Sequence, residues 1–147
     1  MKHRNLIIST LALILMAGCT DSEATGVEPD DLAGTWTAQS LVFTSVEGNL
    51  VSEDEVVAGA VVTLVLRADG TYTFSFVFGE ETENETGTYV VSGNIMTVTP
   101  VTPEGLDPEE MAIVRVGDTL TLTLDDEFVF SAGSNAEAAV LVIILTR

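Results

Sequence analysis

The sequence predicts an all-β domain, a single antiparallel up-and-down barrel of about eight strands. Across residues 34–146, short segments alternate between apolar and polar side chains with the period of two that is typical of strands with one buried face. Turn sequences that contain glycine, at residues 68–70, 92–94 and 117–118, join these segments into hairpins. One long strand precedes the hairpins and one follows them. Pairing these two strands would close the sheet and remove its edges.

The chain has a positively charged segment at residues 2–4, an apolar segment at residues 6–15 and small residues directly before Cys19. This leader resembles the signal peptide of bacterial lipoproteins, with its lipobox at residues 15–19. The resemblance implies that residues 1–18 are a signal peptide and that Cys19 is the lipidated first residue of the mature chain. Two alternatives are an ordinary signal peptide with an incidental cysteine and a transmembrane helix, although a bilayer requires roughly 20 apolar residues.

Lipidation would make a membrane surface the first partner of this protein. Cys19 is the only cysteine, so it cannot form an internal disulfide. Two acyl chains suffice for stable anchoring, and Thr20 at the next position resembles the signal for sorting to the outer membrane. Residues 19–31 are polar and acidic without periodicity, which predicts a flexible tether before a barrel domain at residues 32–147.

Composition restricts the chemistry of the mature chain. Three arginines, Arg67, Arg115 and Arg147, remain after residue 18 against 23 acidic residues, a formal charge of −20. Such a surface repels phosphates, so we expect no nucleic-acid partner, and the acidity either maintains solubility or attracts cations and basic proteins. Because histidine, lysine and a free thiol are missing, Ser–His, Cys–His and Schiff-base catalysis and histidine-ligated zinc are excluded. We therefore expect no enzymatic activity and no cofactor.

The first strand, at residues 34–45, contains a change of parity. Trp36 and Ala38 would face one side of a regular strand, whereas Leu41 and Phe43 would face the other side. Burial of all these side chains in one core requires an extra residue in the strand. The sequence therefore predicts a β-bulge or bend between Ala38 and Leu41.

The remaining elements follow in order along the chain. Residues 47–59 hold the only candidate helix, one or two turns long, with a capping box at Ser52 and Glu55. Residues 60–67 and 71–78 form the first hairpin. Next come an acidic loop at 79–87, strands at 87–92 and 94–99, a loop at 102–110, strands at 111–116 and 119–125, a continuation or short strand at 127–130, and a last strand at 138–146. That last strand is apolar on both faces, so we expect it to pair antiparallel with the first strand.

Motifs at the two ends of the predicted barrel indicate a family. Residues 34–36, Gly-Thr-Trp, match the Gly-x-Trp of lipocalins, and residues 145–147, Leu-Thr-Arg, resemble the closing sequence of small bacterial lipocalin-like lipoprotein domains. The resemblance implies that Trp36 lies across the bottom of the barrel and that Arg147 packs against it as a structural pair. Hairpin sequences of the same family are similar to residues 69–74, 87–89 and 93–94.

Aromatic residues are the candidate ligand-binding side chains, because an eight-stranded barrel either fills with side chains or holds one small ligand. They are Tyr72, Phe74, Phe76, Phe78 and Tyr89. The other side chains that we expect to face inward are Trp36, Leu41, Phe43, Leu64, Leu66, Val91, Met96, Val98, Val114, Leu120, Leu122, Leu124, Ile143 and Leu145.

Two functional classes fit these observations. The first is a binding module that accepts a small apolar molecule or an envelope protein. The second is a structural or interaction protein of the cell envelope whose barrel is filled. Acidic segments at residues 80–85 and 125–127 carry oxygen ligands that calcium prefers, but neither has the spacing of an EF-hand, so we expect solvated loops and no metal site.

Overall fold

The computed structural model describes residues 27, 29–46, 51–101, 107–131 and 135–147. Within these residues it contains nine strands and two helices of one turn each. The elements are α1 (Pro29–Leu32), β1 (Gly34–Ser45), β2 (Ser52–Asp54), α2 (Glu55–Ala58), β3 (Val61–Leu66), β4 (Thr71–Phe78), β5 (Glu81–Ser92), β6 (Ile95–Pro100), β7 (Glu109–Val116), β8 (Thr119–Phe128) and β9 (Glu137–Thr146). No helix in the described part of the chain has the length and apolar character needed to cross a membrane.

The strands form one closed antiparallel barrel with up-and-down topology, as the sequence predicts. Each strand from β3 to β9 pairs with the next along the chain, and β1 pairs with both β3 and β9. These eight strands complete the barrel, and the short β2 is an additional strand beside β1. The predicted antiparallel pairing of the last strand with the first is confirmed. The architecture is compatible with a lipocalin-like fold.

A β-bulge in β1 brings both halves of this strand into one core. The register of β1 against β9 shifts between Ala38 and Ser40, so that Gln39 is the extra residue. The shift reverses which face the following side chains occupy. Trp36, Ala38 and Leu41 are all buried as a result. The predicted β-bulge between Ala38 and Leu41 is confirmed.

Alternate residues of the barrel strands form the core, and most of the residues predicted to face inward are buried or half-buried. Val114 is an exception, because 57% of its surface is exposed. In the β7–β8 hairpin, Ile113 pairs with Leu122, whereas Val114 pairs with Thr121. Directly paired residues share a face of the sheet. Met111 and Ile113 therefore supply the buried side chains of β7.

The acidic segment at residues 79–87, predicted as a loop, is a turn followed by the first half of β5. Gly79 and Glu80 form the turn, and residues 81–88 pair with residues 71–78 in an uninterrupted ladder. The turn suits glycine, since Gly79 has a φ of 61°. The prediction was wrong because the polar composition is typical of loops, whereas the long β4 needs a partner along its whole length.

The predicted capping box is also wrong. The carboxylate of Asp54 caps α2, because it accepts hydrogen bonds from the backbone N–H groups of Val56 and Val57. Asp54, the last residue of β2, directly precedes the first helical residue, as an N-cap must, whereas Ser52 lies two residues earlier. The segment predicted as a loop up to residue 110 is shorter than expected too, since β7 begins at Glu109.

One end of the barrel, where β1 begins and β9 ends, is covered by α1 and is called the closed end below. Leu32 is fully buried there, and Nε1 of Trp36 donates a hydrogen bond of 2.8 Å to its carbonyl oxygen. The guanidinium of Arg147 lies over the Trp36 ring, with Cζ 4.8 Å from the ring centroid. Its Nη1 also donates to the carbonyl oxygens of Asp31 and Ala33, at 3.3 and 3.2 Å. The end of the predicted tether therefore belongs to the helix that covers the barrel.

Candidate functional site

The half of the barrel remote from the closed end contains a cavity of about 380 Å³. This volume lies within the range of roughly 300–1,000 Å³ that is typical of small-molecule sites. Fifteen of the 20 lining residues are apolar or aromatic, and the other five are acidic. The apolar and aromatic residues are Leu41, Phe43, Leu64, Leu66, Tyr72, Phe74, Phe76, Met96, Val98, Met111, Leu122, Leu124, Phe128, Leu141 and Ile143. The acidic residues are Glu55, Glu83, Glu85, Glu109 and Asp126.

The strand order explains why the acidic side chains meet at one end of the barrel, called the acidic end below. Glu83 and Glu85 lie in the first half of β5. Glu109 is the first residue of β7, and Asp126 lies near the end of β8. Neighbouring strands run antiparallel, so the starts of β5 and β7 lie beside the end of β8, away from the closed end. Glu55 joins them from α2.

Three of the five predicted ligand-binding residues line the cavity, and all three come from β4. Tyr72, Phe74 and Phe76 point inward at every second position. Tyr72 is buried, whereas Phe74 and Phe76 are only half-buried. A barrel filled by its own side chains would bury both phenylalanine rings. The exposed surface of these two rings is the part that lines the cavity.

The structure places the other two predicted ligand-binding residues outside this cavity. Phe78, at the end of β4, is 37% exposed, with its ring centroid 6.5 Å from that of Phe76. Tyr89 is buried towards the closed end, where its hydroxyl donates a 2.8 Å hydrogen bond to the carbonyl oxygen of Arg67 and lies 3.4 Å from that of Pro29. Tyr89 therefore ties β5 to the β3–β4 turn and to α1.

The Tyr72 hydroxyl connects the aromatic wall of the cavity with its acidic end. It donates a hydrogen bond to Oε1 of Glu85, one strand away. The ring reaches this position because it lies over Gly87, where a Cβ atom would stand 2.7 Å from Cε1 of Tyr72. Burial raises the pKa of the Tyr72 phenol, and so do the hydrogen bond to Glu85 and the charges of Glu85 and Glu109. The phenol is therefore a stable hydrogen-bond donor at neutral pH.

The carboxylates at the acidic end repel one another. Burial raises the pKa of Glu109, and the charges of Glu85 and Asp126 raise it further. Burial likewise raises the pKa of Glu55, with smaller contributions from the charges of Glu53 and Asp54. Each shift means that the negative form of the carboxyl group is less favourable than it would be in water.

Positive charge lies elsewhere in the described part of the chain. Arg147 lies 3.6 Å from a carboxylate oxygen of Asp118, and Arg115 lies 3.9 Å from one of Asp31, both at the closed end. Arg67 is exposed and donates to Oγ1 of Thr73. No basic side chain is among the residues that line the cavity. The arginines in the described part of the chain therefore lie away from the acidic end.

The five acidic lining residues were not predicted from the sequence, although the residue pattern of β5 gave an indication of two of them. Within β5, Glu83 and Glu85 have the same parity as Tyr89, which was predicted to face inward. Glutamate alternates there with threonine or asparagine, which is the period of two that is typical of a strand. A search for alternating apolar side chains does not detect this pattern. Glu109 and Asp126 had no comparable signal, because their positions depend on where β7 begins and where β8 ends.

The arrangement suits non-covalent binding of a molecule with an apolar body. In the part of the chain that the structure describes, no three metal-ligating side chains lie close enough together to hold a metal ion. No family model matches the chain, and no curated protein or solved structure is significantly similar to it.

Proposed function

We propose that this protein is a lipid-anchored binding module of the bacterial cell envelope whose lipocalin-like barrel takes a small apolar molecule into its cavity. The observation that carries the proposal is the cavity of about 380 Å³ beside the half-buried rings of Phe74 and Phe76. Uncovered apolar surface inside a barrel is unfavourable in water, and an apolar ligand would remove it from solvent. The cavity favours this function over that of an envelope protein with a filled barrel.

Titration of the mature chain (residues 19–147, with Cys19→Ser) with a neutral, environment-sensitive fluorophore tests the binding function. N-phenyl-1-naphthylamine is suitable because its lack of charge avoids repulsion by the acidic protein. We expect saturable binding with one site per chain. An absence of saturable fluorescence up to the solubility limit of the probe would contradict the proposal.

A matched pair of substitutions locates the bound fluorophore. Leu124 is half-buried and lines the cavity, whereas Val114 is exposed on the outer face of the barrel. Leu124→Trp should fill part of the cavity and weaken binding at least tenfold, and Val114→Trp should leave affinity unchanged. Equal affinities for the two variants would place the fluorophore outside the cavity.

Lipidation supplies the cellular location in this proposal. It is supported by the charged, apolar and small-residue segments that precede Cys19. Cys19→Ser in the full chain should move the protein from the detergent phase to the aqueous phase in a phase-partitioning experiment, whereas Thr20→Ser should not. If the Cys19→Ser chain stayed in the detergent phase, the anchor would lie elsewhere. Fractionation of the membranes then tests outer-membrane sorting.

A further inference from the structure

We propose that the cavity selects a cationic amphiphile, a molecule whose apolar part enters the barrel and whose protonated amine remains at the acidic end. This inference rests on the proposed binding function and adds the chemical class of the ligand. It follows from the combination of an apolar cavity with carboxylates in its wall.

The apolar part of the cavity fits the body of such a molecule. The wall beside β4 is formed by Phe74 and Phe76, and Leu64 of β3 pairs directly with Phe74. These side chains offer no hydrogen bond to a polar group. A ligand that was polar throughout would lose its hydration there without compensation.

The polar part of the cavity carries charge of one sign. The five acidic residues belong to four different elements, α2, β5, β7 and β8, so the carboxylates line the cavity from several sides. None of them forms a salt bridge among the described residues, where both ion pairs lie at the closed end. A cation in the cavity would meet attraction from several directions, whereas an anion such as a fatty-acid carboxylate would meet repulsion.

Two of the carboxylates are positioned directly beside the apolar wall. Glu85 pairs with Phe74 and Glu83 pairs with Phe76 across the β4–β5 ladder. The hydroxyl of Tyr72 fixes Glu85 through Oε1, which leaves Oε2 to accept a hydrogen bond from an ammonium group. Burial raises the pKa of Glu109 on β7, and the charges of Glu85 and Asp126 raise it further. An amine bound among these groups would reduce their mutual repulsion.

Three probes of equal chain length but different charge test this inference. Decylammonium, decanol and decanoate are titrated calorimetrically into the mature chain with Cys19→Ser, each below its critical micelle concentration. We expect decylammonium to bind at least tenfold more tightly than decanol, and decanoate to bind most weakly. The preference for decylammonium should fall as salt concentration rises, because part of the attraction is screened.

Substitutions separate the cavity carboxylates from the general negative charge of the protein. Glu85→Gln with Glu109→Gln should lower the affinity for decylammonium to within threefold of the affinity for decanol measured on the same variant. Glu81→Gln with Glu110→Gln is the matched control, because Glu81 and Glu110 are exposed, as Glu109 is, but do not line the cavity. It removes the same two units of charge without changing the cavity. Far-ultraviolet circular dichroism and thermal melting verify that each variant is folded.

The possible results distinguish the charge inference from the binding function. Equal affinities for decylammonium and decanol would overturn the charge inference, and so would tighter binding of decanoate or equal losses of affinity in the control variant and the cavity variant. In each of these cases, binding of decanol would still support the binding function. If neither decanol nor the neutral fluorophore bound, the proposed function itself would fail.

Discussion

The closed end and the acidic end of the barrel are formed by the same eight strands but differ in how their polar groups are satisfied. At the closed end, the Trp36 indole donates to a carbonyl oxygen, and the Arg147 guanidinium lies over the Trp36 ring and donates to two carbonyls. At the acidic end, five carboxylates line a cavity that contains no basic side chain from the described residues. The two ends therefore have different roles. The closed end contributes stability, whereas the acidic end retains repulsion between carboxylates that a ligand could relieve.

The aromatic residues of the two ends show the same difference. Trp36 has no exposed surface, so its ring is fully packed between the strands and α1. Phe74 and Phe76 retain exposed surface although β4 pairs with a strand on each side. Removal of a fully packed ring leaves a new void, whereas removal of a ring beside an existing cavity only enlarges that cavity. Substitutions at the two ends should therefore have different consequences.

The largest effect is expected from a deletion that opens the barrel at the closed end. Removal of residues 142–147 takes away the part of β9 that pairs with β1 on one side and β8 on the other, with the buried Ile143 and Leu145. Buried aliphatic side chains contribute roughly 1.5–3 kcal/mol each, and a typical domain is stable by about 5–15 kcal/mol. The truncated protein should unfold or aggregate, as measured by size-exclusion chromatography and thermal melting.

Deletion of Arg147 alone is the control for this truncation. It removes the contact with Trp36 but keeps the strand pairs and both aliphatic side chains. This variant should remain folded and monomeric. If the longer deletion also remained monomeric with a nearly unchanged melting temperature, β9 would not be needed for barrel closure.

The next largest effect compares aromatic residues at the two ends. Trp36→Ala should lower the free energy of unfolding by about 3–5 kcal/mol, because a fully buried ring and its hydrogen bond are lost. Phe76→Ala should cost less than half as much, since the ring is half-buried beside the cavity. Urea unfolding at neutral pH measures both values. Equal losses in the free energy of unfolding would mean that the two rings are packed to the same extent. That result would contradict a cavity beside Phe76.

Much of the closed end could be predicted from the sequence, because apolar patterning determines it. The opposite parity of Trp36 and Leu41 predicts the bulge, and a last strand that is apolar on both faces predicts closure. Both arguments use the free energy of burying apolar side chains, which is the strongest signal in a single sequence.

The acidic end could not be predicted in the same way. Residues 81–86 have the composition of a loop, and only their pairing with β4 makes them a strand. Once they form a strand, their alternation places Glu83 and Glu85 in the cavity. These two carboxylates thus reach the cavity through the backbone hydrogen bonds of the sheet, a constraint that depends on residues distant in sequence. Asp126 depends in the same way on the length of β8.

A smaller effect is expected from the cation that lies over Trp36. Arg147→Leu should lower the free energy of unfolding by roughly 0.5–2 kcal/mol, the range for a guanidinium above an aromatic ring. Arg67→Leu is the matched control, because Arg67 is exposed and its side chain donates a hydrogen bond to Thr73 and does not lie over an aromatic ring among the described residues. That control should change stability by less than about 0.5 kcal/mol. Similar losses in the two variants would show that the contact with Trp36 contributes nothing beyond general charge effects.

The smallest effect, with the opposite sign, is expected at the acidic end. Burial and the charges of Glu85 and Asp126 raise the pKa of Glu109 in the folded protein. Between its unfolded and folded pKa values, the folded state therefore binds more protons than the unfolded state, so stability falls as pH rises through that interval. Glu109→Gln should stabilise the protein at pH 7, by less than about 1 kcal/mol because the carboxylate is partly exposed and screened.

This gain should depend on pH in a way that identifies its cause. Below about pH 3, where the carboxyl group of Glu109 is protonated in both folded and unfolded chains, the variant should have no electrostatic advantage. The difference in melting temperature between Glu109→Gln and the parent chain should therefore be positive at pH 7 and approach zero near pH 3. Glu110→Gln should give a smaller gain at pH 7, because Glu110 does not line the cavity. A pH-dependent gain of equal size in that variant would assign the effect to the net charge of the protein. With saturating decylammonium, the gain from Glu109→Gln at pH 7 should disappear or reverse, because the bound cation would stabilise the carboxylate only in the parent chain.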